Sequence, residues 1–171
     1  YASNVSGVYQ KPFVFDMSIK ENLSLIDSNF QNQIEACKRV GIHDKILSLP
    51  KGYNTVIGEE QHLLSDGEKQ LLALARALLS KSEILLFDEI TSNIDPTTTT
   101  LIANLLMDLK TDHTIIMITH KPEMMSIADR IIVMENGKVE CKGTNKEVYK
   151  KSLLYRELMS RTFASISNPE M

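Results

Sequence analysis

Apolar positions recur along this chain with two different periods, and the places where one gives way to the other outline its elements. Val5 to Gln10 reads as a short strand that runs into a loop at Lys11-Pro12. Helical spacing follows over Met17–Ile26 and again over Gln31–Leu49, with Ile34, Cys37, Val40, Ile46 and Leu49 as the stripe. Pro50-Lys51-Gly52 breaks the pattern, and residues 51–64 read as an extended loop. The spacing then predicts a helix over Asp66–Ser80, with Leu71, Leu74, Ala75, Leu78 and Leu79 on one face. Glu83–Phe87 ends in a continuous apolar run, the pattern of a strand buried on both faces of a parallel sheet. Asp95 is placed to cap a helix that Pro96 opens, with Ile102, Leu105, Leu106 and Leu109 as its stripe. Thr114–Ile118 reads as a second buried strand and Pro122–Ala128 as a short helix. Asn136-Gly137 marks a hairpin over Ile131–Cys141. Thr144-x-x-Glu147 is a capping box that leads into a helical tail reaching about Phe163. Alternation of strands and helices in the second half indicates an α/β sheet.

Composition narrows the partners more than the fold. The 171 residues are enough for one domain with its own core, and 43% hydrophobic with 24% charged content is that of a soluble globular chain. A net charge of −3 offers no electrostatic basis for binding nucleic acid or an anionic membrane surface. Cys37 and Cys141 stand far apart, without the spacing of a disulfide framework or a metal site, so a reducing compartment is expected. No apolar run approaches the ~18 residues that cross a bilayer, and Tyr-Ala-Ser-Asn does not open a signal peptide. Work at a membrane is therefore expected to come through a partner.

The chemistry-bearing residues concentrate between Leu63 and Asp95. Leu64-Ser65-Asp66-Gly67-Glu68 precedes the strongest helix. Ser65-x-x-Glu68 is a capping box, and a serine and a glycine at a helix start also present backbone N–H groups and positive dipole charge to a phosphate. The apolar run ends in Asp88-Glu89, delivered at a strand's carboxyl end, where open α/β sheets hold phosphates and their metal ion. Glu89 is then placed to polarise an attacking water; two solvated acids at a strand end are the plainer alternative. Ser92-Asn93-Ile94-Asp95 follows, with Asp95 explicable as a helix cap alone.

In this order the pieces resemble the nucleotide-binding domains of ABC transporters, and the resemblance runs from about Val5 to about Met159. Leu64–Glu68 is similar to the signature motif, Ile84–Glu89 to the Walker B strand with its catalytic glutamate, and Ser92–Asp95 to the D-loop. Gln10 then matches the Q-loop glutamine and His120 the switch histidine. The segments Pro12–Phe15, Ile19–Asn22 and Thr55–Glu59, with Gly137-Lys138-Val139 and Gly143-Thr144, resemble the exporter branch. What this implies is an incomplete RecA-like P-loop NTPase core, an α/β fold with a mostly parallel sheet and an α-helical signature subdomain. Residues 1–12 would carry the Q-loop strand, 13–80 the helical subdomain, and 81–171 the rest of the core. The resemblance also implies ATP and Mg²⁺ as ligands. Asp88 and Gln10 would serve the metal, Glu89 and His120 catalysis, and Gln10, Ser65, Asp66, Gly67, Glu68 and Asp95 the nucleotide. Implied partners are transmembrane domains and a second nucleotide-binding domain, closed head to tail on two ATP molecules at the cytoplasmic side of the cell membrane.

Departures from the pattern are also legible. Asp66 stands where the signature has its first glycine, Glu68 replaces its glutamine, and Gln61 replaces a common glycine; the two acids add negative charge where a phosphate is expected. No GxxxxGK[ST] phosphate loop occurs, so the chain is expected to begin downstream of one and neither to bind ATP tightly nor to hydrolyse it. In the related sheet the missing strand lies beside Thr114–Ile118, which is therefore expected to present an open edge and an apolar face, covered by pairing with another copy, by swapping segments or by shifting the chain's own strands. Two rivals belong to other classes. A chromosome-maintenance or DNA-repair ATPase would need a long coiled coil between Gln10 and Ser65, which the stretch between them, without sustained heptads, does not provide. A non-catalytic interaction module would have no use for both Glu89 and His120.

Overall fold

Parallel pairing organises the first part of the chain. The computed structural model describes residues 4–58 and 63–166, with side chains to residue 160; Glu59 and Gln61, singled out above, lie outside the described residues. In chain order the elements of the first part are β1 (Val5–Val8), β2 (Met17–Ser18), α1 (Ile19–Ser24), α2 (Phe30–Val40), α3 (His43–Ser48), β3 (Val56–Ile57), α4 (Asp66–Leu79), β4 (Ile84–Asp88), α5 (Pro96–Leu109) and β5 (Thr114–Ile118). The second part contains α6 (Pro122–Ser126), β6 (Ile131–Glu135), β7 (Lys138–Gly143), α7 (Asn145–Lys151) and α8 (Leu153–Ile166). The chain divides into two compact units at the Ile118–Thr119 junction.

In the first unit β1, β4 and β5 form a parallel sheet in the order β1-β4-β5, with Val8 opposite Phe87 and Asp88 opposite Ile118. Leu85 and Phe87 alternate inward and are buried, whereas Leu86 is 39% exposed and Ile116 and Ile118 are 54% and 61% exposed. The reading of β4 and β5 from their apolar runs as buried on both faces is thus corrected, while the exposed apolar face of β5 is the one the resemblance implied. Among the described residues only one face of this sheet is covered, and an apolar run records that both faces can be buried, not that both are. Among the same residues β5 pairs only with β4, so it forms the edge expected of it.

The helices of this unit are set by caps and breaks. Ser18, Asn29, Ser65 and Asp95 each cap the helix that follows. The stripe read as one helix over Gln31–Leu49 is two, α2 and α3. Gly41 ends α2 in the left-handed region at φ 83°, while its N–H donates to the Lys38 carbonyl and that of Ile42 to Cys37. α2 packs along α4 and α1 against α2, burying Leu23, Cys37, Val40, Ile46, Leu72 and Leu74. Residues 51–64 are not wholly irregular, since Val56–Ile57 pairs antiparallel with Met17–Ser18. β1 ends at Val8, two residues before Gln10.

The second unit has its own small core of Met125, Val133, Val148 and Tyr155. Its hairpin turns at Asn136-Gly137, both at positive φ, as a tight I′-type turn demands. The tail predicted as one helix is broken at Ser152, an extended residue whose Oγ accepts from the Tyr155 N–H and donates to Glu140.

Candidate functional site

The carboxyl edge of the sheet carries three of the residues singled out by sequence, Gln10, Asp88 and Glu89. β4 delivers Asp88 at its last position, exposed. Glu89 follows at φ 47°, a left-handed conformation uncommon for a side chain of this size. Backbone and side-chain hydrogen bonds hold it there. Its N–H donates to the Ile118 carbonyl at 3.0 Å, its carbonyl accepts from the Ser92 N–H at 3.0 Å, and its Oε2 accepts from Ser92 Oγ at 2.9 Å. Ile90 and Thr91, both buried, anchor the turn from beneath. Gln10 leaves the neighbouring strand at the same edge, since β1 and β4 run parallel and in register up to Val8 and Phe87. Its side chain is exposed.

The start of α4 lies beside the start of α5. Gly67 is buried, and a Cβ there would come 3.2 Å from Thr98 Cγ2 and 3.5 Å from Ile94 Cγ2. Packing of the two helix starts therefore explains this glycine without a ligand. Ser65 Oγ accepts from the Glu68 N–H at 3.2 Å, while Glu68 Oε2 accepts from the Ser65 N–H at 2.8 Å. The capping box thus occupies the helix start that the sequence offered as a candidate phosphate site. Both extra acids have cationic neighbours: Lys45 Nζ lies 3.2 Å from Glu68 Oε1, and Lys69 Nζ 3.6 Å from Asp66 Oδ1. Such exposed pairs contribute at most about 1 kcal/mol, but they offset the negative charge where it was least expected. Asp95 caps α5 through Oδ1, which accepts from the Thr98 N–H at 2.9 Å. Hydrogen bonds from the Thr98 backbone and then its side chain hold the Asp95 carboxyl below the usual carboxylate range.

His120 belongs to the second unit, two residues past the end of β5 along the chain, with an exposed side chain. Motif reading missed three residues. Asn22, buried in α1, bonds back to Phe15 in the turn before that helix, and Gln70 and Arg76 reach from α4 to the segment after β1. A glutamine inside the apolar stripe of α4 was the available signal for one of them.

A parallel sheet with a helical insertion, and an acid pair at its carboxyl edge, define an α/β ATPase class of domain. Comparison with known proteins agrees. Residues 13–126 match the family model described as an AAA domain, putative AbiEii toxin, type IV toxin–antitoxin system. A probable ABC transporter ATP-binding/permease protein of Haemophilus influenzae is 40% identical over 80% of this chain and 25% of its own length. The ABC multidrug transporter atrD of Emericella nidulans is 38% identical over 94% of this chain and 12% of its own. The structure of a bacterial Atm1-family ABC exporter with ATP bound superimposes with a TM-score of 0.87 at 30% identity, covering 95% of this chain and 29% of that one. The chain belongs to the family of ABC transporter ATP-binding domains. It spans a quarter or less of the length of these curated relatives.

Proposed function

We propose that this chain is part of the ATP-hydrolysing domain of an export-type ABC transporter, coupling hydrolysis to movement of a substrate across a membrane. The observation that carries the reading is the Asp88-Glu89 pair at the sheet's carboxyl edge, with Glu89 held in a left-handed backbone by Ile118 and Ser92.

The donor set suits Mg²⁺. Among the described residues no cluster of three or more His, Cys, Asp or Glu forms a protein cage. An exposed carboxylate and a glutamine oxygen form the kind of sparse oxygen set on which this ion relies when phosphates and water complete its shell. Asp88 and Gln10 would hold it, and once bound it would neutralise charge on the phosphate oxygens. Glu89 acts as general base toward water, its carboxylate oriented by the hydrogen bond that Ser92 Oγ donates to Oε2. His120 and Gln10 order the terminal phosphate and the attacking water. Ser65 and Gly67, with Asp66, Glu68 and Asp95 around them, face the nucleotide of a second, head-to-tail domain through the dipole of α4.

On this reading residues 1–12 and 81–171 belong to the ATPase core and 13–80 to the helical subdomain. Transmembrane domains are the mechanical partner, and the domain works at the cytoplasmic side of the cell membrane. The 171 residues contain no phosphate loop, so turnover belongs to the intact polypeptide and not to this chain by itself. The test is Glu89→Gln in that polypeptide. ATP hydrolysis should fall by roughly 10²–10⁴-fold, the usual contribution of a general base, with equilibrium ATP binding retained. Unchanged turnover would remove Glu89 from the role assigned to it.

A further inference from the structure

The polar side chains in the body of α4 take no part in the chemistry above, yet they reach the segment that carries Gln10. Gln70 is 2% exposed in the first turns of α4. Its Nε2 donates to the Tyr9 carbonyl at 3.0 Å and reaches the Gln10 carbonyl at 3.4 Å. Further along the helix, Arg76 Nη1 donates to the Phe13 carbonyl at 2.8 Å. The guanidinium lies 5.6 Å from the centre of the Phe15 ring, which meets Phe13 edge-on at 4.7 Å. Asn22 completes the attachment from α1. It accepts from the Phe15 N–H at 3.0 Å and donates to the Phe15 and Met17 carbonyls at 3.1 and 3.3 Å. Pairing of β1 with β4 stops at Val8–Phe87. From Tyr9 onward the backbone is therefore bound to helical side chains, while Asp88 and Glu89 belong to the sheet.

We propose that Gln70 and Arg76 are positioning residues that fasten the Tyr9–Phe15 segment to α4, so that Gln10 is carried by that helix and not by the strand preceding it. Where Gln10 stands relative to the acid pair is then set by where α4 stands. A displacement of the helix at its Ser65 end is delivered to Gln10 through two side chains of the same rigid element. The proposal rests on the ATPase reading for the importance of Gln10, but the attachment itself does not.

Hydrogen exchange of individual amides in the 171-residue chain tests the attachment. The amides of Phe15 and Met17 are the reporters, because they bond to Asn22 and to the Phe15 carbonyl only while the segment is held. Arg76→Met removes one charge-assisted hydrogen bond and should speed their exchange by roughly tenfold. Gln70→Met should also speed it, by less, since its bonds lie further away. That substitution deletes the donors and also a buried Oε1 without a partner among the described residues, so global stability should hold. Amides of β4 and α2 should exchange as before in both variants. Arg76→Lys, which keeps a charged donor, should recover a substantial part of the protection. Unchanged exchange at Phe15 and Met17, an equal rise throughout the unit, or Arg76→Lys behaving like Arg76→Met would each overturn the proposal. No nucleotide is needed, so the outcome is separable from that of Glu89→Gln.

Discussion

Asp95 shows how one side chain can serve two purposes with a single geometry. Its carboxylate caps α5 and also occupies the last position of the turn that follows the acid pair. Because its folded-state pKa is depressed by the Thr98 hydrogen bonds, its contribution to stability is fully present above the unfolded value, near 4. That contribution is lost as pH falls through the folded value. Asp95→Asn keeps a good cap without the charge. Thermal melts should therefore change little at pH 7, while the decline in melting temperature between pH 5 and pH 3 becomes shallower. An unaltered acid limb would mean the cap does not titrate as described. At this scale, features confined to neighbouring residues were legible in the sequence: the Ser65–Glu68 and Thr144–Glu147 boxes and the Asp95-Pro96 start all fall where expected. Gln70 and Arg76 were not, because their acceptors lie about sixty residues away along the chain and no local rule links them.

Elements were read well where periodicity had room to repeat and poorly where it did not. β2 and β3 are two residues long, too short for alternation to show. The break between α2 and α3 was hidden because the apolar stripe continues across it, and only the left-handed Gly41 marks it. Any side chain there meets both an unfavourable φ and Leu101, whose methyls lie 3.4 Å from the added Cβ. Gly41→Ala should destabilise the chain by about 1–2 kcal/mol, the usual size of the left-handed penalty, and Gly41→Asn by less, since asparagine tolerates this region. Urea unfolding gives both values. A neutral alanine would show that α2 can continue into α3. The acid pair at the end of β4 was legible for the opposite reason, since a strand followed at once by two carboxylates needs no long-range information to be placed.

For the whole molecule, the alternating pattern specified an α/β sheet but not how thoroughly it is covered. Burial on both faces depends on layers contributed from elsewhere, which no single strand records. The sheet described here has an open face, with Leu86, Ile116 and Ile118 exposed, and an edge at β5. Edges of this kind are templates for further pairing, and a second copy presents the same edge. The 171-residue chain should therefore show a mass that rises with concentration in size-exclusion chromatography with light scattering. Ile116→Lys should shift it towards the monomer. A monodisperse monomer in both cases would rule out pairing through β5.

The left-handed backbone at Glu89 has an evolutionary corollary. A conformation that glycine or asparagine adopts with less strain is here assigned to a long acidic side chain, which forgoes roughly 1–2 kcal/mol of available stability. If Glu89 has the role proposed for it, a lineage released from hydrolysis would drift towards the relaxed residues at this position, and a relative that retains the fold but carries glycine there would mark an engine that has become a scaffold.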